Sequence, residues 1–127
     1  MPDQHSPDIE LLRKAYTAFN ARDIDAAHDT MIPDVAWPKA FKGGFAIGHQ
    51  LVRDYWTEQW SEINPSVAPL SFHPDGTGRL LVHVHQVVRD MAGAIVADGL
   101  VGHRFTIQAG LIQRMEVCPL AEPEPGT

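Results

Sequence analysis

The sequence predicts an α+β fold in which three helices precede a run of long strands, and three observations carry that prediction. Up to Pro65 the apolar residues recur at helical spacing. Beyond Pro65 apolar and polar residues alternate instead, the period of a strand with two different faces. Clusters of Gly, Pro, Asp and Ala interrupt the alternating part at hairpin lengths. Helices segregated ahead of strands are the mark of α+β proteins rather than of alternating α/β ones. With 127 residues, 44% of them apolar and 20% charged, the chain fits one core and one domain.

The first helix is expected over Pro7 to Asn20, with Ser6 as N-cap, Pro7 at the first helical position and Asp8 and Glu10 in the first turn. On a helical wheel Ile9, Leu11, Leu12, Ala15, Tyr16, Ala18 and Phe19 fill one half, and Glu10, Arg13, Lys14 and Thr17 the other. Asp23 caps a second helix from Ile24 to about Met31, which Pro33 stops. Val35 to Pro38 reads as a short strand, and Lys39 to Ile47, with Gly43-Gly44, as a loop. A third helix follows from about His49 to Ile63. Its apolar half holds Leu51, Val52, Tyr55, Trp56, Trp60 and Ile63, with Gln59 in the middle. Strands are then expected at Val67–His73, Leu80–Arg89, Ile95–Gln108 and Leu111–Val117. Turns at Pro74–Gly78, Asp90–Gly93 and Ala109-Gly110 separate them.

Composition removes several function classes. The net charge is −6 and Lys and Arg are scattered, with Arg13-Lys14 the one adjacent pair, so no basic stripe exists for nucleic acid. Cys118 is the single cysteine, which rules out an internal disulfide and a Cys-rich zinc site. Its place near the end of the last strand suits a small packing residue. No apolar run reaches bilayer length, and residues 1–5 carry no signal-peptide pattern, so no membrane partner and a cytoplasmic location are expected. No phosphate loop, nucleotide fingerprint or Ser-His-Asp order is found, and no cofactor is expected.

Three local patterns carry a family resemblance: Ala18-Phe19-Asn20-Ala21-Arg22-Asp23-Ile24-Asp25, Ile47-Gly48-His49-Gln50-Leu51-Val52-Arg53-Asp54-Tyr55-Trp56, and His103-Arg104-Phe105-Thr106-Ile107-Gln108-Ala109-Gly110-Leu111-Ile112. In this order they resemble the NTF2-like superfamily, which includes the SnoaL-like proteins and the ketosteroid isomerases. The resemblance covers residues 7–118, between an expected flexible N-terminus (1–6) and a flexible Pro- and Glu-rich tail (119–127). It implies a cone-shaped, cystatin-like fold, a curved mixed but mainly antiparallel sheet packed against the helices around a pocket. It also implies a homodimer formed through the outer sheet face. The positions that hold the general base, the oxyanion tyrosine and the protonated acid of ketosteroid isomerases fall at Trp37, Ala15 and about His103. None matches, so the resemblance extends to the scaffold and not to isomerase chemistry.

Strand parity identifies the inward side chains. A two-residue Ala92-Gly93 turn sets His103 opposite Val82, so that Val82, Val84, Gln86, Val88, Val101, His103, Phe105 and Ile107 share the pocket face. His83, His85, Val87, Asp98 and Leu100 then share the outer face, unless a bulge at Asp98-Gly99 shifts one strand. The outer face is apolar enough to suggest dimerisation. His83-Val84-His85 could chelate a metal, but on the outer face it is read as structural and no metal is expected. His5, His28, His49 and His73 are read as surface or capping residues.

His103, with a near-neutral intrinsic pKa, is the first candidate for acid–base chemistry, against the alternative of a core histidine bonded to a helix side chain. Tyr16 and Tyr55 are candidate donors toward a carbonyl or hydroxyl. Trp37, Trp56, Gln59, Trp60, Val84, Gln86, Val101 and Phe105 are the candidate ligand-binding residues, the two amides needing partners if buried. The expected function is binding of a small, apolar, polyketide-, steroid- or aromatic-like molecule. It extends to cofactor-independent isomerase, cyclase or dehydratase chemistry through His103, or stops at a non-catalytic binding, dimerisation or accessory domain.

Overall fold

The computed structural model describes residues 7–39, 43–74 and 79–120. The expected flexible N-terminus, the Ser6 cap, part of the Gly43-Gly44 loop, most of the Pro74–Gly78 turn and most of the tail lie outside those residues. Helix α1 (Pro7–Asn20) starts with Pro7 and an acidic first turn, as its sequence dictates, and buries Ile9, Leu12, Ala15, Tyr16 and Ala18. It ends in a Schellman turn: Asp23 N–H bonds the Ala18 carbonyl at 2.9 Å and Arg22 N–H bonds that of Phe19 at 3.0 Å. Arg22 holds the left-handed position, φ +62°, that glycine usually takes there.

Helix α2 (Ile24–His28) is capped by the Asp23 side chain on the Ala26 amide at 3.1 Å. It stops three residues short of the expected Met31. Thr30 turns back to the Ala27 carbonyl through both its amide and its hydroxyl, and the chain then goes extended. Strand β1 (Met31–Pro38) therefore begins at Met31, which pairs in parallel with Ile112. Pro33 does not stop the helix but sits where the β1–β6 register shifts, a place where a missing N–H costs no ladder bond. The expected loop before Gly48 contains a short strand, β2 (Phe45–Ile47), paired antiparallel with β1.

Helix α3 (His49–Glu62) runs without a turn into β3 (Ile63–Pro74), so Ile63 opens a strand instead of closing the helix. Strands β4 (Arg79–Asp90), β5 (Ile95–Gln108) and β6 (Leu111–Cys118) complete a sheet of order β2-β1-β6-β5-β4-β3. Among the described residues only the β1–β6 pair is parallel. The β4–β5 hairpin has a Met91-Ala92-Gly93 turn, one residue longer than expected, closed by Asp90 N–H on Ala94 O at 2.8 Å. Gly93 supplies its positive φ of +94°. A bulge at Val96, between the Arg89–Ile95 and Val88–Ala97 pairs, absorbs the extra residue. Beyond it the register is the expected one, with Val82 opposite His103.

The core lies between the helices and the inner sheet face. Leu12, Val35, Val52, Val82, Val84, Ile112, Trp56 and Phe105 are fully buried, each aliphatic side chain contributing roughly 1.5–3 kcal/mol of transfer free energy. Leu51, expected on the inner half of α3, is 54% exposed, because α3 rests on the sheet along the Val52–Tyr55–Trp56 stripe one step round. No helix among the described residues is long and apolar enough to cross a membrane.

Candidate functional site

A cavity opens between α1, α3 and the inner face of the sheet, with about 730 Å³ of space between atoms when the open solvent at its entrance is included. Helix α1 lines it with Ala15, Tyr16 and Phe19, and α3 with Tyr55, Trp56 and Gln59. The sheet contributes Met31, Trp37, Pro38, Pro65, Val67, Gln86, His103, Phe105, Met115 and Val117. Aromatic rings form much of the wall. Trp56 meets Trp37, Phe19 and Trp60 at centroid separations of 5.3, 5.3 and 5.6 Å, the first two edge-to-face. None of the described lining residues carries a formal charge at neutral pH.

One polar pair is built into this apolar wall. Tyr16 Oη lies 2.8 Å from His103 Nδ1, and the two rings are parallel within 4°. The pair exists because α1 directs Tyr16 inward one step from Ala15, while β5 directs His103 inward opposite Val82. Burial pushes the His103 pKa down to about 4 and the Tyr16 pKa well up, so both are neutral at pH 7. In one tautomer Tyr16 donates to Nδ1 and Nε2–H is a donor. In the other Nδ1–H donates to Tyr16 and Nε2 is an acceptor. A second pair lies on α3, where Gln59 Nε2 donates to Tyr55 Oη at 3.1 Å.

Several solved structures share this overall fold. TerC, co-crystallised with polyporic acid, matches with a TM-score of 0.79 at 28% identity over 91% of this chain and 92% of TerC. An NTF2-like protein of unknown function from Burkholderia pseudomallei matches with a TM-score of 0.77 at 24% identity, over 88% of this chain and 89% of that one. The chain has the NTF2-like, cystatin-like fold. A candidate polyketide cyclase from Sinorhizobium meliloti matches with a TM-score of 0.73 at 22% identity, over 85% of this chain and 93% of that one. No protein-family model and no curated protein matches the sequence.

Within this NTF2-like cone the structure brings together Tyr16, Trp37, Tyr55, Trp56, Gln59, Gln86, His103 and Phe105 of the residues singled out from sequence. Trp60, Val84 and Val101 stand outside the lining. Trp60 turns toward Phe19 and under the Arg22 guanidinium, 4.9 Å from its ring centroid. Val84 is fully buried, and its cross-strand partner Val101 packs against the core, so neither presents surface to the cavity. Asp98 bonds His85 Nε2 at 2.7 Å on the other face, so it does not stand beside His103, and no carboxylate is among the described lining residues. His83 packs against His73 there, ring centroids 4.5 Å apart.

His28 corrects the expectation of a surface residue. It is buried and stacked on His49 at 4.4 Å, and no described residue hydrogen-bonds its Nε2. The helix wheel of α2 could have placed it inside, but five residues give too short a period to read. Met115 and Val117 were missed although the register carries them: they lie opposite Phe105 and His103 on β6 and share their face. Cys118 is half-buried, its thiol directed to the Glu116 carbonyl at 3.9 Å.

Proposed function

We propose that the chain binds a small, flat, largely apolar organic molecule inside the cone and orients it through the Tyr16–His103 pair. The observation that carries this reading is the 2.8 Å Tyr16–His103 contact, a neutral polar pair on the wall of an aromatic cavity. Aromatic walls supply affinity with little ordering cost, and a few converging polar groups supply orientation. The co-crystallisation of TerC with polyporic acid supports the same ligand class. Isothermal titration with a neutral diaryl quinone and with a neutral steroid tests it. Saturable binding at one site per chain, weakened about tenfold in His103→Leu, is the expected result. Absence of saturable binding for both compounds in the unmodified protein would sink the reading.

The same contact favours a second reading, a cofactor-independent isomerase, cyclase or dehydratase. With Nδ1–H donated to Tyr16, His103 Nε2 is a base that can take a proton from an acidic C–H of the ligand and return it at another atom, while the Tyr55 hydroxyl polarises a carbonyl. A pKa of about 4 and the lack of a carboxylate among the described lining residues make the imidazolium costly, which weighs for binding over proton transfer. Protein-dependent uptake of deuterium at the α-carbon of a bound cyclic ketone in D2O, lost in His103→Leu, distinguishes the two readings. We also read the outer sheet face as the contact surface of a homodimer, supported by the exposure of Val96 and Leu100.

A further inference from the structure

We infer that Gln86 is the second polar contact of the cavity, and that it selects neutral molecules with a hydrogen-bonding group at each end. The inference rests on the ligand-binding reading above and adds the far end of the ligand. Gln86 lies on the inner face of β4, four residues from Val82, the residue opposite His103. At about 3.3 Å per residue the two stations are roughly 13 Å apart along the sheet. Along the sheet between them the Val84–Val101 pair packs into the core beneath the cavity, and the cavity's own lining is largely apolar and aromatic. The sequence of chemistry along the cavity is therefore polar, apolar, polar.

The two glutamines of the cavity differ in a way that identifies the free one. Gln59 is spent on the Tyr55 hydroxyl at 3.1 Å. The Gln86 amide lines the cavity half-buried, and no described residue hydrogen-bonds it. An amide offers donors and an acceptor together, so it can meet a hydroxyl, a carbonyl or a phenol. The Tyr16–His103 pair has the same versatility at the other end, through its two tautomers. Charge is what the cavity does not accommodate. A carboxylate or ammonium group would leave water with no counter-ion among the described lining residues, at a cost that a neutral hydrogen bond does not repay. The chemistry points to a rigid, uncharged molecule two to three rings long, polar at both ends.

Rigid biphenyl rods test this directly by calorimetric or fluorescence titration at pH 7. The probes are p-phenylphenol, p,p′-biphenol and the rod with a phenol at one end and a carboxylate at the other. In the unmodified protein p,p′-biphenol binds at least about fivefold tighter than p-phenylphenol, the worth of one added hydrogen bond, and the carboxylate rod binds weakest. In Gln86→Leu, and in the closer-shaped Gln86→Met, the ratio between the two phenols falls to near one. Equal affinities in the unmodified protein, or a ratio that survives in a folded Gln86 variant, would overturn the assignment while leaving the ligand-binding reading intact. Binding of neither phenol to the unmodified protein would sink both.

Discussion

At the scale of single residues, Tyr16 and His103 serve two purposes that the sequence set against each other. His103 is a core histidine satisfied by a helix side chain, and it is also a polar group on the cavity wall. Tyr16→Phe leaves Nδ1 of a buried imidazole without its partner. We expect a loss of about 1–3 kcal/mol in urea unfolding with the fold retained by circular dichroism. The pH dependence follows from burial. His103 titrates near 6.5 when unfolded and at about 4 when folded, so between those values the unfolded chain binds the proton and the native one does not. Its contribution is complete above about pH 6.5 and is lost as the pH falls toward 4, on the order of 3 kcal/mol in all. Burial shifts His28 in the same direction, so the whole-protein slope contains both. Unfolding free energies measured from pH 7 to 4 therefore fall steeply in the unmodified protein and less steeply in His103→Gln. Equal slopes would mean that His103 is not a buried neutral group.

Among the elements, the joint between α1 and β3 is where local sequence and long-range packing meet. β3 is an edge strand, and an exposed edge leaves backbone groups unpaired. Asn20 covers one of them on both sides: its amide donates to the Val67 carbonyl at 2.7 Å and accepts from the Val67 N–H at 3.0 Å. Arg22 adds a bond to the Pro65 carbonyl at 2.6 Å and lays its guanidinium over the Trp60 ring, which offsets its left-handed backbone. Asn20→Ala should cost about 2 kcal/mol, two partly buried hydrogen bonds, and raise amide exchange at Val67. Asn20→Asp keeps the acceptor and should cost about half. No change in exchange would show that Val67 is protected by something else. The same joint marks the limit of what periodicity reveals. Strong local periods gave α1, α3, β4 and β5 nearly to the residue. The α2–β1 boundary was misplaced because Met31 goes extended for a partner, Ile112, that lies far along the chain. β2 is three residues long and has no period to detect. Within the site, alternation disclosed Gln86, His103 and Phe105, whereas the exclusion of Val84 and Val101 depends on how closely the helices descend on the sheet.

On the scale of the whole molecule, the open question of assembly turns on the far half of β5. Among the described residues β6 pairs with β5 only from Gly102 onward, so residues 95–101 have β4 as their one described neighbour. Residues 91–100 are all exposed, and they include Met91, Ile95, Val96 and Leu100, the last at 64%. Apolar side chains gathered on an exposed strand are an aggregation hazard unless something covers them. A second copy of the chain, packed face to face on the same surface, would bury the patch on both protomers at once. The His85–Asp98 pair lies within that face and supplies hydrogen-bonding groups for a self-complementary contact. We therefore expect light scattering to give twice the 14.0 kDa protomer mass, and Leu100→Glu to give a monomer that still binds ligand. Leu100 points away from the cavity, so the variant separates assembly from binding. An unchanged dimer in Leu100→Glu would place the interface elsewhere, and a monomeric unmodified protein would leave the exposed strand as a surface for a different partner.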